Sequence, residues 1–177
     1  MPNKNERALK MLAKALEIEE SGKAFYDDAI KNCQNELGKE IFTTLMQDEL
    51  IHIDRILNIY ESLKNEKGWT DEWEGMQSDH RDVKDLFKDI SNKLGKNIKA
   101  HSSDLEALDV GIDFEWKTVV FYEEYLPSAT DPLEKYFVER MVAEEKKHYN
   151  VLKDMKQYLS DPSAWFVENE HHAMDAG

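Results

Sequence analysis

Apolar residues recur at steps of three and four positions along the first part of the chain, which is the spacing of one face of an α-helix. Polar residues occupy this spacing at Glu19 and Lys23, so the predicted inward face is not wholly apolar. A second stretch has the same period and is interrupted at Glu49 and His52. The apolar members of the two stripes are Leu9, Leu12, Leu16, Tyr26 and Ile30, then Phe42, Leu45, Ile56, Ile59 and Leu63. The pattern predicts two helices with polar side chains on core-facing stripes.

Both stripes recur later in the chain. A shift of 96 positions, the separation of Glu19 from Glu115, superimposes the first two stripes on two later ones without a gap. The polar positions that correspond are Glu19 with Glu115, Glu49 with Glu145, and His52 with His148. Two helical hairpins with the same inward face indicate a four-helix bundle that arose by internal duplication.

The predicted fold is all-α, a bundle of two duplicated helical hairpins joined by a long crossover. We assign the bundle to residues 1–160 and a C-terminal tail to 161–177, where Trp165 and Phe166 are expected to dock on the bundle. The crossover covers 65–102 and includes a short amphipathic helix. The bundle helices are expected at about 4–31, 36–64, 103–126 and 131–159.

Short polar segments mark where these helices begin. Asn35 is predicted to cap the second helix of the first hairpin. Asp131 and Glu134 form the pattern of a capping box before the last helix, and Ser103 with Glu106 forms a similar pattern before the third. These signals favour four separate helices over fewer, longer ones.

Residues three apart lie on one face of a helix, so each Glu-x-x-His pair points toward the core. Folding would therefore gather four carboxylates and two imidazoles in a hydrophobic interior. Uncompensated buried carboxylates cost several kcal/mol each, and Lys23 is the one basic residue on the stripes. Two divalent cations would neutralise four carboxylates, and this ligand set is that of di-iron and di-manganese bundles. The predicted ligands are Glu19, Glu49, His52, Glu115, Glu145 and His148.

Geometry predicts a role for each ligand. The glutamates of the two Glu-x-x-His pairs, Glu49 and Glu145, would bridge the ions. One ion would be completed by Glu19 with His52, and the other by Glu115 with His148. Tyr26 and Tyr122 follow the non-bridging glutamates by about two turns on the same face. They are either catalytic groups that hydrogen-bond the carboxylates or core aromatics with a satisfied hydroxyl.

Other residues compete for these roles. Glu20 and Glu144 are the local alternatives to Glu19 and Glu145, although the repeat favours the latter pair. The remaining histidines are expected at the surface, and the last two of them could bind a metal weakly beside Glu168 and Glu170. These histidines are His80, His101, His171 and His172.

Composition narrows the function classes. A chain of 177 residues with 41% hydrophobic residues suits one soluble domain, and no apolar run is long enough to cross a bilayer. The net charge of -14 argues against nucleic acid as a partner and would attract small cations. The single cysteine, Cys33, excludes an internal disulfide framework. With no secretion signal visible, we expect a cytoplasmic protein.

The stretch Glu19–Tyr26, the two Glu-x-x-His pairs and their repeated register resemble the ferritin-like superfamily and, more narrowly, the rubrerythrin family. The resemblance covers about residues 8–64 and 103–159. It implies a ferritin-like bundle with a non-haem di-iron centre that reacts with peroxide or dioxygen. It also implies a homo-oligomer of at least two chains.

Two features depart from the typical family pattern. Rubrerythrins usually carry a C-terminal rubredoxin module with two Cys-x-x-Cys pairs, which one cysteine cannot form. They also carry an additional glutamate one turn after the third-helix ligand, where this chain has Thr118. The chain is therefore most similar to the short erythrin type that lacks the rubredoxin module.

The leading functional hypothesis is an oxidoreductase that reduces hydrogen peroxide or dioxygen at two iron ions, in the context of oxidative stress. Manganese or zinc could substitute for iron, because the same ligands accept all three metals. An external electron donor, a rubredoxin-like or flavin protein, would restore the ferrous state. The alternatives are a ferroxidase or iron-handling protein, and a metal-stabilised interaction protein without catalysis.

Overall fold

The structure is a computed structural model that describes residues 5–175, with side chains described for residues 5–170. These residues form helices and no strands, so the predicted all-α ferritin-like bundle is confirmed. The helices are α1 (Glu6–Asn32), α2 (Glu36–Lys64), α3 (Val83–Leu94), α4 (Ser102–Tyr125), α5 (Pro132–Ser160) and α6 (Pro162–Asp175). None of the described helices combines the length and apolar composition needed to cross a bilayer.

The four long helices pack as two hairpins, α1 with α2 and α4 with α5. Helix α3, within the crossover, contacts both α2 and α5, and α6 packs against α5. The crossover thus touches one helix of each hairpin along their shared side. The boundary between a bundle domain of residues 1–160 and a tail stays a prediction.

Helix starts follow the predicted capping signals in two of three places. The Asn35 side chain accepts a hydrogen bond from the Gly38 amide at 2.7 Å. A capping box is present at the start of α5, formed by Asp131 and Glu134. The third expectation is wrong: α4 begins at Ser102, and the preceding His101 makes no side-chain cap.

The buried face of α1 differs from the predicted stripe. Lys23 is exposed, and the positions that face the core include small residues that a count of large apolar residues overlooks. These small buried residues are Ala8, Ala15, Gly22 and Ala29. Small side chains let α1 approach its neighbours closely, and no basic residue of α1 enters the core.

Two apolar clusters fill the ends of the bundle. One contains Leu45 of α2 and Leu152 of α5, and the other contains Ile56 of α2 and Met141 of α5. The Glu-x-x-His pairs lie between these positions on both helices. Trp165 and Phe166 of α6 pack against the first cluster, and Trp73 of the crossover is fully buried in the second. The polar side chains are thus enclosed above and below by apolar packing.

Candidate metal centre

The six predicted ligands converge between the four long helices. Each of them is at most 2% exposed. Their ligand atoms form two groups, and the atoms within each group lie within 4.8 Å of one another. The groups are Glu19, Glu49, His52 and Glu145, and Glu49, Glu115, Glu145 and His148. Glu49 and Glu145 belong to both groups, which is the placement expected of bridging carboxylates.

Both histidines turn the same ring nitrogen toward the carboxylates. His52 Nδ1 lies 3.3 Å from Glu19 Oε2 and 3.1 Å from Glu145 Oε1. His148 Nδ1 lies 3.2 Å from Glu49 Oε1 and 3.3 Å from Glu145 Oε2. The two rings stack with centroids 5.6 Å apart. In each histidine, Nδ1 is therefore the atom placed to bind a metal, and Nε2 faces away from the centre.

An acidic residue of the opposite hairpin lies beside each Nε2. Asp48 of α2 lies 3.0 Å from His148 Nε2, and Glu144 of α5 lies 3.7 Å from His52 Nε2. Sequence reasoning missed Asp48 and considered Glu144 only as a competing ligand. The signal was present, because the 96-position shift that relates the ligands also relates Asp48 to Glu144. Such carboxylates orient a metal-binding imidazole and fix its proton on the outer nitrogen.

Each tyrosine donates a hydrogen bond to a non-bridging glutamate of the other hairpin. Tyr122 Oη donates to Glu19 Oε1 at 2.8 Å, and Tyr26 Oη donates to Glu115 Oε1. Burial, followed by the charges of the neighbouring glutamates, raises the pKa of both tyrosines well above the usual range. Both hydroxyls therefore remain protonated donors that hold the carboxylates in place.

Several polar atoms of the cluster form no hydrogen bond, although some of them lie at ion-pair distance from one another. They are Glu49 Oε1, Glu115 Oε2, both carboxylate oxygens of Glu145, and His148 Nδ1. Buried polar atoms are normally paired, so unpaired atoms converging on one centre call for a ligand. Carboxylate oxygens and imidazole nitrogens are donors that iron, manganese and zinc all accept. The residues present thus fit a pair of metal ions.

In the metal-free protein, protons balance part of the charge. Burial and the charges of Glu19 and Glu145 raise the pKa of Glu49 well above its ordinary value. Burial and then Glu19 raise the pKa of Glu145 to about 8. Burial alone would lower the pKa of His52 and His148, but the surrounding glutamates raise it well above the usual range. Metal ions would have to displace these protons.

We expect the metal-free protein to lose stability as the pH rises from about 5 to 8. The pKa of Glu145 rises from 4.5 to about 8 on folding, so its stabilising proton is fully present below 4.5 and is lost as the pH passes 8. The raised pKa values of His52 and His148 act in the same direction. Melting temperatures of metal-free and cobalt-loaded protein should therefore diverge with increasing pH. Parallel curves would contradict this account.

Gly22 provides the space that Glu49 occupies. A Cβ atom at Gly22 would lie 2.8 Å from Glu49 Oε2 and 3.0 Å from Phe114 Cε1. Glycine is otherwise unfavourable inside a helix, by roughly 1 kcal/mol relative to alanine. The position of the Glu49 carboxylate explains why a glycine is present in the middle of α1.

Replacing Gly22 by alanine is expected to change metal binding much more than stability. The stability of the metal-free protein should change by no more than about 1 kcal/mol, because alanine favours the helix whereas its Cβ atom would crowd the Phe114 ring. Metal affinity should fall by about tenfold or more, because the Glu49 carboxylate is displaced. Gly75→Ala is the control, since a Cβ atom there meets nothing within 4 Å. Thermal melts and cobalt titrations measure the two effects, and unchanged affinity in Gly22→Ala would refute the argument.

The competing residues lie outside the cluster. Glu20 and His101 are exposed, and Cys33 is buried with its Sγ 3.4 Å from the Asn35 carbonyl oxygen. His80 was expected at the surface, but it is partly buried and its Nε2 lies 2.5 Å from Asp48 Oδ1. The side chains of two further predicted surface histidines, His171 and His172, lie outside the described residues.

Comparison with known proteins gives one match. A family model described as Rubrerythrin matches residues 10–156, a span that contains all six predicted ligands. The comparison with curated proteins and the comparison with solved structures each gave no match. The matched span runs from the first turns of α1 to the last turns of α5.

Proposed function

The chain belongs to the rubrerythrin family, and from this premise we propose that it is a non-haem di-iron oxidoreductase that reduces hydrogen peroxide. The observation that carries the proposal is the pair of buried ligand groups that share two glutamates. Buried carboxylates gathered in this way are unfavourable without cations, so the arrangement supports a metal centre more strongly than any structural role.

Each half of the centre would hold one ion. Glu19 and His52 would bind one, Glu115 and His148 the other, with the two shared glutamates between them. When bound in the ferrous state, two iron ions supply two electrons, which with two protons convert one hydrogen peroxide molecule to two water molecules. The same carboxylate and imidazole ligands also accept manganese or zinc. The identity of the metal as iron is therefore part of the proposal.

The chain's own residues position the ligands and limit access to them. Tyr26 and Tyr122 hold the non-bridging glutamates by hydrogen bonds. The ligands are almost wholly buried, but a polar cavity of about 250 Å³ reaches both histidines from outside. Arg55, His80 and Glu144 are among the residues that line it. A small polar molecule such as hydrogen peroxide suits a cavity of this size and lining.

Anaerobic reconstitution with ferrous iron tests the proposal. We expect two irons to bind per chain and the reduced protein to consume one peroxide per two irons, much faster than free iron does. Glu20→Gln/Glu139→Gln, which changes two exposed carboxylates, should behave as the unmodified protein. Peroxide consumption no faster than that of free iron would overturn the proposed activity.

Ferroxidase activity is the second candidate, and Thr118 favours it. The position one turn after Glu115 carries no carboxylate, and the Thr118 hydroxyl donates to the Phe114 carbonyl at 3.0 Å. The additional glutamate that the peroxide-reducing relatives carry is therefore replaced by a side chain that binds its own helix. Oxidation of added ferrous iron by dioxygen, faster than oxidation by peroxide, would select this function.

Turnover requires partners, which we include in the proposal. The ferric centre would be reduced by an external donor, a rubredoxin-like or flavin protein. We also propose an assembly of at least two chains and a cytoplasmic location. Light scattering would distinguish a dimer from a monomer or a cage. Peroxide reduction sustained by a reduced rubredoxin would identify the class of donor.

A further inference from the structure

The two halves of the centre are surrounded by different charges, although the ligands repeat almost perfectly. The duplication places an acidic residue beside each outer histidine nitrogen, Asp48 beside His148 and Glu144 beside His52. The residues that contact these two carboxylates are not related by the repeat. Arg55 of α2 contacts one, and His80 of the crossover contacts the other.

Glu144 is neutralised by basic side chains. Arg55, which is 1% exposed, makes an ion pair with Glu144 Oε2, and Arg140 Nε lies 3.7 Å from the same oxygen. Both contacts bring positive charge to the Glu144 carboxylate. They also hold the carboxylate 3.7 Å from His52 Nε2, beyond hydrogen-bonding distance.

Asp48 keeps its charge directed at the metal centre. Its partners at ion-pair distance, among the described residues, are two histidines and neither lysine nor arginine. Asp48 Oδ2 lies within hydrogen-bonding distance of His148 Nε2, at 3.0 Å. The position equivalent to Arg55 in the repeat is Val151, so no arginine approaches Asp48 from α5.

We propose that these flanking residues make the two metal sites unequal, so that the chain binds its ions in two separable steps. The site of Glu115 and His148 binds first and releases its ion last. The site of Glu19 and His52 is the weaker one. The inference rests on the proposed metal centre. In it, Asp48 acts through His148, Arg55 acts through Glu144, and His80 acts through Asp48, so all three are positioning residues.

The physical reason is electrostatic. A carboxylate that accepts the outer N–H of an imidazole makes the inner nitrogen a better metal ligand, and it adds negative charge near the cation. Asp48 does both for His148. Glu144 has a smaller effect on His52 in both respects. Arg55 offsets the negative charge of Glu144, and the carboxylate lies too far from His52 Nε2 to accept its hydrogen bond. Removing an outer carboxylate of this kind typically weakens metal binding by about 10–100-fold.

Calorimetric titration of the metal-free, full-length chain with cobalt(II) chloride, followed also by visible absorption, tests the inference. The unmodified protein should bind two ions with affinities that differ by about tenfold or more. Asp48→Asn should weaken the tighter step by a similar factor and bring the two steps together. Glu144→Gln is the matched variant, since it removes one charge at the equivalent position, and it should weaken the weaker step by a smaller factor than Asp48→Asn weakens the tighter step.

Ligand variants assign the steps. His148→Ala should remove the tighter step, and His52→Ala should remove the weaker step. Two equal steps in the unmodified protein, or a larger effect of Glu144→Gln than of Asp48→Asn, would overturn the inequality while leaving the metal centre intact. Failure of the unmodified protein to bind cobalt at all would instead overturn the metal centre itself.

Discussion

Replacing Glu49 and Glu145 together by glutamine is expected to abolish the binding of both metal ions and to stabilise the metal-free protein at pH 8. Both ligand groups contain these two residues, so neither group keeps its full set of ligands in the double variant. Both carboxyls are buried and have raised pKa values, so folding at pH 8 must either protonate them or bury their charge, and glutamine removes that cost. We expect a gain of at least ~1 kcal/mol, or about 2–4 °C in melting temperature.

The combination of lost binding and gained stability is what distinguishes a metal centre from a structural network. If the four carboxylates served packing alone, the double variant would be destabilised or neutral. Glu20→Gln/Glu139→Gln is the control, because it makes the same change of charge on exposed positions. Metal content by elemental analysis and thermal melts at pH 6 and 8 measure both effects. Retained binding of two ions by the double variant would contradict the assignment of bridging ligands.

The sequence predicts the bundle well because two independent patterns carry the same information. Helical periodicity indicates each helix, and the exact recurrence of polar positions such as Glu49 and Glu145 fixes which faces meet. Periodicity alone is less reliable in α1. There the core face is built from small residues such as Ala15 and Gly22, and the large residue Lys23 points to solvent. Small residues carry little hydrophobic signal, yet they set how closely helices approach.

The convergence of the six proposed ligands was predictable from the sequence, whereas the groups around them were not. A buried carboxylate needs a compensating cation. To apply this argument it is enough to know that Glu19 and Glu145 lie on core-facing sides of their helices. The contact of His80 with Asp48 could be predicted only with knowledge of the path of the crossover, because His80 lies in a loop with no periodic signal. The ion pair of Arg55 with Glu144 could be predicted only with knowledge of which helix faces α5, since the two residues are distant in sequence. Long-range pairs of this kind follow from the packed fold and from no local pattern.

Replacing Arg55 by alanine is expected to destabilise the protein by about 3 kcal/mol or more, a larger loss than any exposed ion pair could cause. Arg55 is buried, and its guanidinium pairs with Glu144 and donates to the Met76 carbonyl oxygen at 3.0 and 3.2 Å. It also lies 5.5 Å from the ring centroid of Trp73. The variant would leave the largely buried Glu144 carboxylate with only the 3.7 Å contacts from Arg140 and His52, and it would remove both donors from the Met76 carbonyl oxygen. Chemical denaturation of the metal-free protein measures the loss.

Arg81→Ala is the matched control, because Arg81 pairs with Asp89 at the surface and such exposed pairs contribute little to stability. Hydrogen exchange adds a local readout. Arg55 joins α2, α5 and the crossover, so its loss should speed exchange in the segment 72–81 before the rest of the bundle opens. Uniform exchange, or equal destabilisation by the two variants, would mean that the crossover is held by apolar packing of Trp73 alone. Localised exchange would instead show that Arg55, which pairs with Glu144, also connects the crossover to α5 beside the proposed metal centre.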